Sequence, residues 1–232
     1  GGPPSRPRSS PDPPKPTDTT HDPSAEQIER LAGMIRRAEH VAVITGAGIS
    51  AESGLRTFRG ATGVGAADLP ADMRSLWKEF DPQNLATPEA FEADPEKVSR
   101  WYDWRRLGCL AAEPNPGHLA LVAIQHALER RGGRFTLLTQ NVDRLHQRAG
   151  SRGVVELHGS IIAWRCTATG TRLEPGPAAF TTYPIPSPFQ AGALLRPDVV
   201  WFGEPLPDDA LAAAGEAAQD CDLFLSIGTS AV

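Results

Sequence analysis

Residues 40–50 read HVAVITGAGIS, and this stretch decides the fold. A short run dominated by apolar, β-branched side chains predicts a strand buried on both faces. Gly46-Ala47-Gly48-Ile49-Ser50-Ala51 follows at once. It fits the looser G-x-G-x-x-G/A fingerprint, with alanine last. Gly46 permits the tight turn and Gly48 lets a pyrophosphate approach the backbone. A helix start beyond them would offer free N–H groups to the anion. A strand-to-helix turn with no ligand has the same signature. No clear strand-ending acid stands about twenty residues on, where an ordinary NAD dehydrogenase carries one.

Working outward, Ser24-Ala-Glu-Gln27 predicts a capping box and a helix to about residue 39. Asn115-Pro116 opens another helix, with Leu121, Ile124 and Leu128 on one stripe and Gly132-Gly133 ending it. RFTLLT (134–139), VVEL (154–157), DVVWF (198–202) and DLFLSIG (222–228) read as further strands, and Pro207-Asp208 with an alanine-rich run as a helix. Uniformly apolar strands alternating with helices predict an α/β fold: a Rossmann-like parallel sheet with helices on both faces. Residues 60–114 and 159–196 break the rhythm and are expected to leave the sheet as two insertions forming a smaller lobe. The core then spans about 24–59, 115–158 and 197–232.

The ends carry their own expectations. Residues 1–23 hold eight prolines among Ser, Thr, Asp and Gly, which predicts a disordered tail. The last residues, FLSIGTSAV, stop on a strand and its turn, so a C-terminal piece of the fold is expected beyond them. A net charge of −5 with scattered basic residues argues against nucleic acid as a partner. No apolar run approaches the length of a membrane span. Cys109, Cys166 and Cys221 are far apart and odd in number, which favours a reducing compartment, the cytoplasm. A monomer is expected.

Candidate chemistry collects at the strand ends. Phe58 and Arg59 stand just past the glycine turn, where a ring and a guanidinium can meet a cofactor or serve as core and surface residues. TQNVDRLH (139–146) ends the RFTLLT strand, where open α/β sheets bind ligands. Gln140, Asn141 and Asp143 bring three short polar groups to that edge, although Asn141 could equally cap a helix. His158 ends the next strand in ELHG (156–159). An unperturbed histidine titrates near about 6.5, which suits a general base, and a structural role fits it too. Asp94-Pro95 predicts a helix start ahead of WYDWRR (101–106). Tyr102 and Arg105, three apart, share a face of that helix. A guanidinium fork and a phenol suit a carboxylate ligand, or merely cover the helix. Trp101 and Trp104 read as packing residues and Arg106 as solvent-facing.

GAGIS, GLRTFRG, TQNVDRLHQRAG, ELHGS, RPDVVWFGE and GTS occur in this order. Together they resemble the sirtuins, NAD-dependent protein-lysine deacylases, from about Ile28 to Val232. The resemblance implies a reaction in which the acyl oxygen of a modified lysine displaces nicotinamide from NAD. His158 is then base on a ribose hydroxyl, and an O-acyl-ADP-ribose is released. It implies cofactor contacts from Gly46, Ala47, Gly48, Ser50, Phe58 and Arg59. Gln140, Asn141 and Asp143 line the nicotinamide and ribose site, and Gly228, Thr229 and Ser230 the phosphate and adenosine side. Val200, Trp201, Phe202 and Gly203 pair with the backbone of an acylated-lysine protein or peptide. The YxxR spacing of Tyr102 and Arg105 is similar to that of class III sirtuins, which implies succinyl-, malonyl- or glutaryl-lysine as substrate with some deacetylation. Residues 63–79 depart from that pattern. Protein mono-ADP-ribosyl transfer and a non-catalytic NAD or ADP-ribose binding module are the alternatives. Sirtuins usually carry a zinc ribbon from two CxxC pairs after HG, whereas this chain has Cys166 alone before Arg196. Tetrahedral zinc needs four ligands, so no zinc is expected, and the lobe should hold by packing through Phe180, Tyr183 and Phe189.

Overall fold

The computed structural model describes residues 22–55 and 85–229. The tail to residue 21, Phe58, Arg59, residues 63–79 and Ser230 lie outside the described residues. Helix α1 (Ala25–Arg37) starts on the predicted capping box: Ser24 Oγ accepts the Gln27 N–H and the Gln27 side chain accepts the Ser24 N–H. Strand β1 (His40–Thr45) then enters the middle of a parallel sheet and ends in a 3-10 turn over Ala47–Ser53. The sheet has the order β3-β2-β1-β7, with β2 at Arg134–Thr139, β3 at Val155–Glu156 and β7 at Leu223–Ile227. Helices α2 (Pro88–Ala93), α3 (Pro95–Ala111), α4 (Pro116–Glu129), α5 (Leu145–Ala149) and α6 (Asp208–Asp220) complete the helical set among the described residues.

Strand β1 is buried because both of its faces are covered. Val41 and Val43 pack with Leu121 and Leu128 of α4, with Ala38 and Leu137 in the same cluster. Ala42 points the other way, to Ala210 and Ala217 of α6. Small side chains on both partners let α6 lie close to the sheet. Val41, Ala42 and Val43 are all fully excluded from solvent. A fully buried valine contributes roughly 1.5–3 kcal/mol, so this central strand anchors the layer.

The second lobe is where the sequence misled. DVVWF does not join the parallel sheet. The strand there is β6 (Leu195–Val199), antiparallel to β4 (Gly159–Cys166), which also pairs with β5 (Arg172–Leu173). Pro197 lies in β6, an edge strand, where a missing N–H is tolerated. Strand β4 itself went unread. Its register with β6 shifts between Ser160 and Trp164, so its buried positions lose the period of two by which a strand is recognised.

The two insertions do meet. Trp101, Tyr102 and Cys109 of α3 share a core with Phe91 of α2, Ile161 and Trp164 of β4, Leu195 and Val199 of β6, and Trp201. Phe180 and Tyr183 pack against it as expected, but Phe189 is exposed. Arg106, read as solvent-facing, is fully buried and paired with Asp103 at 2.7 Å. Among the described residues no helix is long and apolar enough to cross a membrane.

Candidate functional site

Three loops converge at the C-terminal ends of the parallel strands. The turn after β1 is tied to the end of β7: the Gly46 N–H donates to the Ile227 carbonyl at 3.0 Å and the Gly48 N–H to the Gly228 carbonyl at 2.8 Å. A Cβ on Gly48 would stand 2.7 Å from Gly228 Cα, and one on Gly228 would stand 2.3 Å from the Ile49 nitrogen. Gly228 also has φ +64°, a backbone region that favours glycine. These glycines therefore serve the seating of one loop on the other. Gly48 and Gly228 remain exposed, so bare backbone faces the open edge of the sheet.

The loop after β2 supplies the polar floor. Its residues alternate: Val142 packs against the small-lobe core, while Asn141 and Asp143 turn back toward the glycine turn. Asn141 Nδ2 donates to the Gly46 carbonyl and to Ser50 Oγ, both at 3.1 Å. Ser50 Oγ donates to Asp143 Oδ2 at 2.8 Å, and Asp143 Oδ1 accepts the Leu145 N–H at 2.9 Å. Asn141, Asp143 and Ser50 are all buried, whereas Gln140 and Ala47 are half-buried. Arg144 is the one non-glycine described residue at positive φ, 60°. Its side chain is held by Glu156 and Glu174.

Beneath this floor lie groups the sequence did not single out. The His118 and His146 rings meet edge to face at 4.9 Å. His118 Nε2 stands 3.4 Å from Ser50 Oγ, and His146 Nε2 lies 2.8 Å from Thr45 Oγ1. Burial depresses the pKa of His118, with Asp143 opposing. Burial, then the neighbouring His118, takes His146 down to about 4, so both rings are neutral at pH 7. The only sequence signal was His118 three residues into the helix capped by Asn115, where it accepts the Asn115 N–H.

His158 stands at the same edge, half-buried, with Nδ1 3.0 Å from the Gln140 carbonyl. That carbonyl can only accept, so Nδ1 donates, and in the neutral ring Nε2 is then the acceptor. The His158 carbonyl in turn accepts the Val200 N–H at 3.0 Å. Residues 200–203 are not a strand: Val200 and Trp201 are irregular and Phe202 and Gly203 form a turn. Three of their amides are engaged: Val200 N–H with the His158 carbonyl, Phe202 N–H with the Ala86 carbonyl and Trp201 N–H with Glu204. Trp201 is buried and Phe202 half exposed. Arg196 stacks 3.3 Å from the centroid of the Trp201 ring and grips Glu204 through two bonds of 2.6 and 2.9 Å.

Tyr102 and Arg105 share a face of α3. The Arg105 guanidinium lies 4.6 Å from the Trp101 ring centroid and 5.7 Å from that of Tyr102. Tyr102 is buried with its ring 6.2 Å from Trp201. Burial pushes its phenol up to about 12, with Arg105 opposing. The tyrosine is thus a neutral donor. Thr229 is half-buried beside the glycine turn, its backbone meeting any Cβ placed on Gly46.

Among the described residues, no three His, Cys, Asp or Glu side chains are grouped to hold a metal ion. The Cys166 thiol is hydrogen-bonded to Ser187 and Thr169, which lowers its pKa to about 7.

Residues 46–232 match the family model described as the Sir2 family. An NAD-dependent protein deacylase of Thermus thermophilus is 48% identical over 208 residues, 89% of this chain and 75% of that protein. A Sir2 homologue solved as an NAD complex superposes with a TM-score of 0.74 at 44% identity, over 88% of this chain and 73% of that one. A Sir2 histidine-to-alanine variant, solved with a deacetylated p53 peptide and 3′-O-acetyl ADP-ribose, gives a TM-score of 0.68 at 30% identity, over 88% and 76%. With a family model covering most of its length and relatives this similar, the chain belongs to the Sir2 family.

Proposed function

We propose that this chain is an NAD-dependent protein-lysine deacylase acting on acylated-lysine proteins, with a preference for short acyl groups that end in a carboxylate. The observation that carries the catalytic half is the His158 tautomer. Its Nδ1–H is fixed on the Gln140 carbonyl, which in the neutral ring leaves Nε2 as the acceptor, on a residue at the same sheet edge as Asn141 and Asp143. Bound NAD supplies the ADP-ribosyl group and the departing nicotinamide. The chain's own residues then hold and deprotonate. Bare backbone at Gly48 and Gly228, with Thr229 beside them, suits the phosphates. Ser50 orders Asp143 and Asn141 toward the ribose and amide end, with Ala47 and Gln140 bordering it. His158 Nε2 takes the proton of a ribose hydroxyl.

The acyl preference rests on Tyr102 and Arg105. A protonated phenol and a guanidinium on one helix face are a neutral donor and a charged fork, the pair a carboxylate accepts from most strongly. Tyr102 packs on Trp201, and Val200, one residue earlier, is bonded to His158, so acyl end and base share one short stretch of chain. The three free thiols fit a cytoplasmic setting.

The test is NAD-dependent deacylation of one lysine peptide carrying acetyl or succinyl, followed by nicotinamide release. The unaltered chain should favour succinyl. His158→Ala should lower kcat for both by about 100-fold or more, the size of a lost general base. Arg105→Met should lower the succinyl-to-acetyl ratio by about tenfold or more, the loss of one charged contact. An unchanged ratio refutes the acyl assignment, and nicotinamide release that ignores the peptide refutes deacylation.

A further inference from the structure

The helix that carries Tyr102 and Arg105 carries a second pair on the same turns. Asp103 and Arg106 are both fully buried, and their bonds lead away from the helix. Arg106 Nε donates to Asp103 Oδ1 at 2.8 Å, one terminal nitrogen donates to the Gly176 carbonyl at 2.8 Å, and the other to the Ala178 carbonyl at 2.6 Å. Asp103 Oδ2 accepts the Phe180 N–H at 2.9 Å and the Tyr183 hydroxyl. The Arg106 guanidinium lies 5.3 Å from the Phe180 ring centroid. Four groups of residues 176–183 thus end on two side chains of α3, some seventy to eighty residues earlier in the chain.

A buried pair with its hydrogen bonds made is an organising device more than a source of stability. Here it stands in a lobe whose described residues group no three side chains fit to hold the zinc that the family resemblance implies. We propose that the Asp103–Arg106 pair does the fastening a metal would do: it holds residues 176–183 on α3 and thereby fixes the rotation of the helix face presenting Tyr102 and Arg105. Successive helix residues are turned by about 100°, so positions 103 and 106 cannot shift without carrying 102 and 105 with them. The positioning half of this proposal rests on the acyl reading above, whereas the fastening half does not.

The test combines metal analysis, amide hydrogen exchange and steady-state kinetics on the full chain with Asp103→Asn, Arg106→Met, Arg106→Lys and Tyr183→Phe. The purified chain should carry well below about one zinc per molecule, the occupancy of a structural site, and a chelator should leave the Phe180 amide protected. Asp103→Asn and Arg106→Met should speed exchange at Phe180 by about tenfold or more while the β1 amides keep their protection, the sign of local rather than global opening. The same variants should raise KM for the succinyl peptide about tenfold and leave kcat and the acetyl KM within about twofold. Arg106→Lys, which keeps the charge and loses the fork, should fall between. If Arg106→Met does not fold, Tyr183→Phe decides by deleting one hydroxyl: unchanged exchange at Phe180 in it and in Asp103→Asn overturns the proposal. So does stoichiometric zinc whose removal frees 176–183, or a parallel fall in β1 protection and acetyl turnover. If the unaltered chain shows no succinyl preference, the acyl reading has failed and the exchange data still decide the fastening.

Discussion

Ser50 and Asp143 meet hydroxyl to carboxylate at 2.8 Å, joining the turn after β1 to the loop after β2. The same hydroxyl accepts from Asn141 Nδ2 at 3.1 Å. One short side chain thus sets two of the polar groups at the sheet edge. All three residues are buried, and a buried polar group left without its partner is costly.

Ser50→Ala should therefore act on the cofactor side. A hydrogen bond to a charged group is worth about 1.5–3 kcal/mol, so kcat/KM for NAD should drop by about tenfold or more. The KM for peptide at saturating NAD should move little. Equal damage to both would mean that Ser50 holds the fold and not the ribose site.

Gly228→Ala tests the seating of the two glycine loops. The added methyl carbon would stand 2.3 Å from a backbone nitrogen, at a φ of +64°. Neither neighbour is a flexible side chain, so strain of about 1–3 kcal/mol is expected. Urea unfolding should show it, with NAD affinity reduced as well. Full stability in the variant would show that the loops part freely.

Acid should weaken the molecule through the buried histidines. The folded pKa of His146 is about 4, below the unfolded value of about 6.5. The unfolded chain binds the extra proton, so this contribution is present above pH 6.5 and is lost as pH falls toward 4. The loss from His146 is on the order of 3 kcal/mol, and His118, also depressed, adds in the same sense. Urea midpoints between about pH 7.5 and about pH 5 should fall, and His146→Gln, which can still reach Thr45, should flatten the profile. An identical slope in the variant would place the titrating group elsewhere.

Arg196→Lys separates charge from shape. The arginine stacks on Trp201 and binds both oxygens of Glu204, and lysine reproduces neither the plane nor the fork. A cost of about 1–2 kcal/mol in stability and a higher peptide KM are expected. Wild-type peptide KM in the variant would detach the 200–203 segment from substrate.

The parallel sheet was legible where its strands obey a rule that acts locally. β1 and β2 are apolar on both faces, and their helices carry capping residues at Ser24 and Asn115. His158, Asn141 and Asp143 were legible for a related reason: they follow directly on strand ends, and the fold brings strand ends together. The small lobe obeys no such rule. A register shift in β4 hides its period, and Pro197 disguises β6. Arg106 looked like solvent because nothing near it in sequence can neutralise it except Asp103, and its other partners come from residues 176–183. His118 and His146 were missed because their partnership is one of space, made by packing α4 against α5.

Arg106 does not read the side chains of the segment it grips. It holds the carbonyl oxygens of Gly176 and Ala178, and Asp103 takes the main-chain amide of Phe180. Every residue type offers a carbonyl, so the identities at 176 and 178 are free to drift while the path of the chain stays put. A metal centre writes its ligands into the sequence as fixed letters. A clasp on the main chain leaves almost no spelling behind, and a relative can keep it while sharing no recognisable text in that loop.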